Sequence, residues 1–252
     1  MNEIKQSLVW WCFGRDIEAE TLVKEAKAIG YASLEMCPEE HWSLVQDNGL
    51  AVAIIGGHES LVNGCNKKEN KSRIVDELHA NIEKAKANNI PSLIAFSGNR
   101  EGKSELEGAE NTAECLAEAA PAAEAAGITI SVELLNSKVN HPDYQCDTTP
   151  WGVHVCKMVN SPAVKLLYDI YHMQIMEGDL IRTINDNIDY IGHFHPAGNP
   201  GRNDMDEENE IYYPPIMRAI AKTDYVGYIG HEFIPKGDMI KAAQAAYELC
   251  KV

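Results

Sequence analysis

The chain has 252 residues, of which 45% are apolar and 24% charged, and its formal net charge is -16. That length holds one large α/β barrel or two smaller domains, and the composition is that of a globular chain with a full core. So acidic a surface repels phosphate backbones, and the short basic run Lys71–Arg73 sits among acids, which argues against nucleic acid as a partner.

The seven cysteines (Cys12, Cys37, Cys65, Cys115, Cys146, Cys156, Cys250) are scattered, odd in number and lack a CxxC pair. This argues against a disulfide framework and a zinc ribbon, and points to a reducing, cytoplasmic setting. The first residues, MNEIKQSLVWWCFGRD, have too short an apolar run and no small-residue cleavage site for a signal peptide. No apolar stretch approaches membrane-spanning length, so no membrane partner is expected.

In chain order the expected strands are QSLVWWC, YASLEMC, LAVAIIGG, PSLIAFSG, ITISVELLN, AVKLLYDIYH, YIGHFHPAG and YVGYIGHEFIP. Amphipathic runs between them predict helices over 16–29, 69–88, 109–126 and 179–188, and a last one from about 238 to 249. Gly30, Gly49 and Gly127 precede strands, where a helix end needs a left-handed residue, and Asp16, Thr148 and Asp179 are candidate N-caps. Eight strand–helix units in 252 residues give roughly thirty residues per unit, the size of one βα repeat. The count favours a closed (β/α)8 barrel of one domain, residues 1–252, over an open doubly wound sheet. WWCFGRD after the first strand also lacks a glycine-rich dinucleotide fingerprint.

Glu133, Asp169, His195 and Glu232 lie near the ends of four successive expected strands, 36, 26 and 37 residues apart, each gap about one βα unit. Each alone has an ordinary reading: a solvated strand end, a turn former, a structural histidine, a paired carboxylate. Together they suggest convergence at the C-terminal face, where barrels of this kind carry their chemistry. Three crowded carboxylates would repel, and a divalent ion removes that cost. Three oxygen donors and an imidazole suit Mg2+ or Mn2+, with Zn2+ or Co2+ as alternatives.

Strand alternation then puts Ser131 on the face of Glu133, and Tyr228 and Gly230 on the face of Glu232, while His193 shares a face with His195. His172, three residues after Asp169, is a candidate for a substrate hydroxyl or else a surface histidine. Arg202, in the Gly- and Pro-shaped loop HPAGNPGRND, can hold a carboxylate or hydroxyl pair, or else form a loop salt bridge. His58 and Arg100, after the third and fourth strands, are weaker candidates from the same face. Trp10 and Trp11 are expected to pack the core, with one ring as a pocket floor, and Glu35, Glu39 and Glu40 to be solvated. The sequence has no P-loop, HExxH or GxSxG.

GHFHPAGNPGR, EIYYPPIMRAI and GYIGHEFIP, with VELLN and LLYDIYHMQ before them, resemble the xylose-isomerase-like barrel superfamily, on the side of its hydroxypyruvate isomerases. The resemblance covers essentially the whole chain and is strongest over 127–235. It implies a single (β/α)8 TIM barrel with one divalent metal on Glu133, Asp169, His195 and Glu232. It also implies that Glu133 and Glu232 form the catalytic acid/base pair, and that His172 and Arg202 contact substrate. The implied reaction interconverts hydroxypyruvate and tartronate semialdehyde through a cis-enediolate. A carboxylate beside the substrate takes a proton from carbon and a second delivers one to the neighbouring carbon.

One departure matters: some hydroxypyruvate isomerases carry glutamine where this chain has His195, whereas the sugar epimerases of the superfamily carry histidine. A ketose 3-epimerase therefore stays open, with a free ketose as substrate in place of a small hydroxy-oxo acid. An AP-endonuclease-like phosphodiesterase is disfavoured by the acidic charge and by the need for more histidines. A non-catalytic sugar-binding barrel is disfavoured by the intact carboxylates. A homo-oligomer is open.

Overall fold

A computed structural model describes residues 3–252. Its strands are β1 (Lys5–Val9), β2 (Ser33–Glu35), β3 (Ala51–Val52), β4 (Ile55–Gly56), β5 (Ser92–Ala95), β6 (Thr129–Glu133), β7 (Val164–Asp169), β8 (Ile191–His195) and β9 (Tyr228–His231). The α-helices are α1 (Trp10–Phe13), α2 (Ala19–Ile29), α3 (Trp42–Asp47), α4 (Lys71–Ala87), α5 (Glu105–Ala126), α6 (Thr149–Val159), α7 (Ile170–Met176), α8 (Leu180–Asn187), α9 (Tyr213–Ala221) and α10 (Met239–Cys250). The expected α/β alternation is present, and the strand order is β3-β2-β1-β9-β8-β7-β6-β5-β4.

The chain divides into two compact units. One takes the residues up to Ala53, Asp179–Ile188 and His193–Val252; the other takes Ile54–Gly178 and Asp189–Gly192. In the first, β1 pairs in parallel with β2 and β9, and β2 with β3. In the second, β4, β5, β6 and β7 pair in parallel in sequence order.

Several elements differ from expectation, each for a local reason. LAVAIIGG is two strands: Ala53 N–H bonds to Leu34 O beside β2, and Gly57 N–H bonds to Ile94 O beside β5. Four residues on, the backbone has therefore changed partner. The tail of QSLVWWC turns into α1, closed by Gly14 N–H on Trp10 O, and the tail of AVKLLYDIYH turns into α7 because Asp169 caps it. Glu18, not Asp16, caps α2 through Thr21 N–H. Thr148 and Asp179 sit at N-cap positions without a side-chain cap bond, and the Asp179 carboxylate goes to Arg182. Gly30, Gly49 and Gly127 all have positive φ.

The outward faces of the strands bury apolar side chains, with Leu8, Ile130, Val132 and Leu166 at 1% exposure or less. Burying such a side chain is worth about 1.5–3 kcal/mol. On the other face small polar residues fit a tight space: Ser92 and Ser131 share a hydrogen bond of 3.2 Å. A Cβ on Gly192 would lie 2.9 Å from Lys165 Cβ and 3.1 Å from Ser131 Oγ. All seven cysteines are buried free thiols, and burial pushes Cys37 and Cys156 up to about 12. No helix among the described residues is long and apolar enough to cross a membrane.

His231 shows how β9 is anchored. Its ring is buried edge-on to Tyr31 at 5.4 Å. Gln6 Nε2 donates to Tyr247 O, so Gln6 Oε1 faces His231 and accepts from Nε2 at 2.8 Å. Burial pushes this imidazole from an ordinary 6.5 down to about 3. The unfolded chain thus binds the extra proton between those values, and stability falls as pH drops through that window. His231→Gln is expected to flatten the slope of stability against pH by up to about 1.4 kcal/mol per pH unit, read from urea midpoints. An unchanged slope would remove this histidine from the acid sensitivity. The neighbouring Gly230 has no room for a side chain: a Cβ would stand 1.6 Å from Glu35 Oε1. Gly230→Ala is expected to destabilise by about 1–3 kcal/mol; a wild-type urea midpoint would show that Glu35 can step aside.

Candidate active site and metal centre

In the first unit, three strand ends bring charge together. β8 alternates His193, Phe194, His195, which puts both imidazoles on one face. Glu35, at the end of β2, is fully buried beneath them. Its Oε2 lies 2.9 Å from His193 Nε2, and its Oε1 accepts from His195 Nε2 at 3.0 Å. Burial alone would raise this carboxyl, but the two histidines outweigh it and hold it at about 2. The expectation of a solvated Glu35 is therefore overturned: the residue ends a strand whose tip faces inward, whereas Glu39 and Glu40 are exposed.

Glu232 follows β9 directly. Its Oε1 accepts the Trp11 indole N–H at 2.9 Å, and its Oε2 lies 2.9 Å from His195 Nδ1. The Arg202 guanidinium also donates to Oε2 and lies over the Trp11 ring at 5.4 Å. Burial would raise the Glu232 carboxyl, but Arg202, His195 and Trp11 hold it well below the usual carboxylate range. Arg202 reaches it from a tight loop. Gly198 N–H bonds to Asn203 O, and Arg202 itself has φ of 58°. Of the tryptophan pair, Trp10 packs on His41, and Trp11 is the ring that belongs to the site.

His195 thus stands between two carboxylates. Its Nε2 faces Glu35 Oε1, and its Nδ1 faces Glu232 Oε2 at 2.9 Å. Either a ring hydrogen or a bound cation can lie between Nδ1 and the Glu232 carboxylate. Donors at that separation subtend roughly a right angle at an ion about 2.1 Å from each. Glu35, His193 and His195 form a second buried donor group, with one ligand-type atom of each within 4.8 Å of the others.

In the second unit, Glu133 ends β6 and Asp169 ends β7, both buried. Tyr144 fixes the β6 end by donating its hydroxyl to Glu133 O at 3.0 Å. Asp169 Oδ1 accepts His172 N–H at 3.0 Å, the cap that starts α7. His172 is fully buried, not a surface histidine, and its Nδ1 meets both the backbone N–H and the side-chain amide of Asn136.

The two weaker candidates are engaged in local structure. Both ring nitrogens of His58 meet backbone groups, Phe96 N–H at 2.9 Å and Glu59 O at 2.9 Å. Arg100 is paired with Glu105 and with Asp147, the latter at 2.8 Å. Glu35 and Asn136 were not expected at the site, and of the two tryptophans, one of which was expected as a pocket floor, Trp11 is the one beside Glu232. Glu35 could have been found, since it ends its strand as Glu133 does; Asn136 read only as the end of the strand run ITISVELLN.

Over residues 23–250 the chain matches the model of the xylose isomerase-like TIM barrel family. It is similar to the 2-oxo-tetronate isomerase of Cupriavidus necator, 37% identical over 123 residues (49% of this chain, 46% of the relative). It is likewise similar to the hydroxypyruvate isomerase of Escherichia coli, 36% identical over 106 residues (41% of each chain). The chain spans somewhat under half the length of these relatives. Among solved structures it superposes on an AP endonuclease, family 2, from Brucella melitensis with a TM-score of 0.81 and 26% identity over 96% of both chains. With its α/β alternation, its parallel strands and a family match across nearly its full length, the chain belongs to the xylose isomerase-like TIM barrel family.

Proposed function

We propose that the chain works as one (β/α)8 domain, 1–252, and isomerises a small hydroxy-oxo acid, interconverting hydroxypyruvate and tartronate semialdehyde. In this reading Glu133, Asp169, His195 and Glu232 hold one divalent cation. The observation that carries it is the buried pair of ligand-type atoms, His195 Nδ1 and Glu232 Oε2, 2.9 Å apart. Support comes from the donor set itself, three carboxylates and one imidazole, all buried. It comes also from the relatives named as isomerases of hydroxypyruvate and of 2-oxo-tetronate. Oxygen-rich donors favour Mg2+ or Mn2+; the imidazole admits Zn2+ or Co2+.

Such an ion supplies Lewis acidity, polarising the substrate carbonyl. The chain's own residues do the rest. In hydroxypyruvate a proton leaves the hydroxymethyl carbon and one is added to the adjacent carbonyl carbon, while the hydroxyl proton changes oxygen. Glu133 and Glu232 serve the two carbon positions: one carboxylate takes the proton and the other returns it. Glu232 is held ionised by Arg202 and by the Trp11 N–H, so it can accept a proton at neutral pH. Arg202 receives the substrate carboxylate beside Glu232.

Glu133→Gln and Glu232→Gln are each expected to lower kcat on hydroxypyruvate by about 10²–10⁴-fold. Near-wild-type turnover by either folded variant would sink the two-glutamate scheme. Dialysis against a chelator is expected to abolish turnover and lower Tm, and Mg2+ or Mn2+ to restore both. At a hundredfold excess over Kd the ion would contribute about 2.7 kcal/mol of stability. Full turnover with no metal found by elemental analysis would rule the ion out.

A further inference from the structure

His172 has two ring nitrogens, and its surroundings decide which of them carries the hydrogen. The orientation of the Asn136 side chain is fixed first. Its Oδ1 accepts the backbone N–H groups of Val139 at 3.0 Å and Asn140 at 2.9 Å. An amide oxygen so placed leaves the Nδ2 hydrogens on the opposite side. One goes to Asn140 Oδ1 at 2.7 Å, an oxygen that also accepts the Tyr171 hydroxyl at 2.9 Å. The other points at His172 Nδ1, 2.6 Å away. The backbone N–H of Asn136 aims at the same nitrogen from 3.2 Å. Two donors converge on Nδ1, so that nitrogen is the acceptor and the ring hydrogen is on Nε2. The ring plane is held by Tyr171 and His141, edge contacts at 5.1 and 5.3 Å.

Nε2 lies on the side of Asp169, 3.6 Å from its Oδ2 and too far for a hydrogen bond. We infer that Asn136 is a positioning residue that locks His172 in the Nε2–H tautomer, so that His172 donates a hydrogen bond to a substrate oxygen next to Asp169 and does not take a proton from carbon. This rests on the isomerase reading above and divides its labour. The two glutamates handle the carbon-bound hydrogen, and His172 steadies the oxygen that gains negative charge as that hydrogen leaves. Asn136 ends the run VELLN, three residues beyond Glu133. The same strand end thus supplies a carboxylate and, one turn of chain later, the group that orients a neighbouring imidazole.

The tautomer can be read directly on the full chain, with Mg2+ present and without substrate, by long-range 15N–1H correlation spectra of the histidine rings. His172→Gln identifies the signal. The expected spectrum shows an unprotonated Nδ1 and a protonated Nε2 at His172; hydrogen on Nδ1 overturns the inference whatever the substrate proves to be. Asn136→Asp keeps an oxygen for Val139 and Asn140 but turns the other amide group into an acceptor. It is expected to bring hydrogen onto Nδ1 and to lower kcat about 10²–10³-fold, the range for loss of one donor to a developing oxyanion, with KM changed far less. A folded Asn136→Asp variant that keeps the wild-type ring signals and kcat also overturns it. If wild-type protein shows the expected tautomer but turns over no hydroxy-oxo acid, the isomerase reading fails and the tautomer lock stands.

Discussion

A single imidazole held between two buried carboxylates sets the terms for the first unit. Glu35 fixes one nitrogen of His195 and so dictates what the other can do. With Nε2 on Glu35, Nδ1 is aimed at the oxygen of Glu232. Orientation of an imidazole by a carboxylate on its far nitrogen is a recurrent device, because it fixes the ring plane and the angle at which the near nitrogen is presented. Here the device reaches into the backbone. Gly230 has no side chain because Glu35 fills the space one would need, and Trp11 turns its N–H into the site because Glu232 is there to accept it.

The second unit uses the same logic with different parts. Asp169 begins a helix with one oxygen and leaves its other oxygen on the side of His172. Asn136 orders its own turn with one end of its amide and a neighbouring ring with the other. In both units a residue at a strand end does local structural work through one atom and presents chemistry through the next. Such double use explains why so few residues suffice to order so many polar groups.

The strand ends were legible in the sequence. Carboxylates are costly inside apolar runs, so Glu133, Asp169 and Glu232 stood out there, and each is buried at or just after a strand end. Glu35 was harder to read, since β2 is only three residues long and a proline-containing turn follows it, which made the glutamate look like part of the exposed Glu39–Glu40 stretch. His58 and Arg100 have partners that the sequence does not report. Both follow strands on the expected face, yet backbone groups and Glu105 and Asp147 occupy their polar atoms. No periodicity reports such partners, because they come from residues distant in sequence. The split of LAVAIIGG has the same origin: a continuous apolar run cannot say that its two halves pair with different strands.

The buried thiols give the chain one further property. Seven cysteines spread from position 12 to position 250 are shielded in the native state, and those closest to the two ends of the chain, Cys12 and Cys250, both lie in the first unit. A thiol reagent added to the folded protein meets sulfur only where the backbone has opened. The order in which the seven positions become labelled would therefore chart which parts of the molecule breathe first, without any added probe.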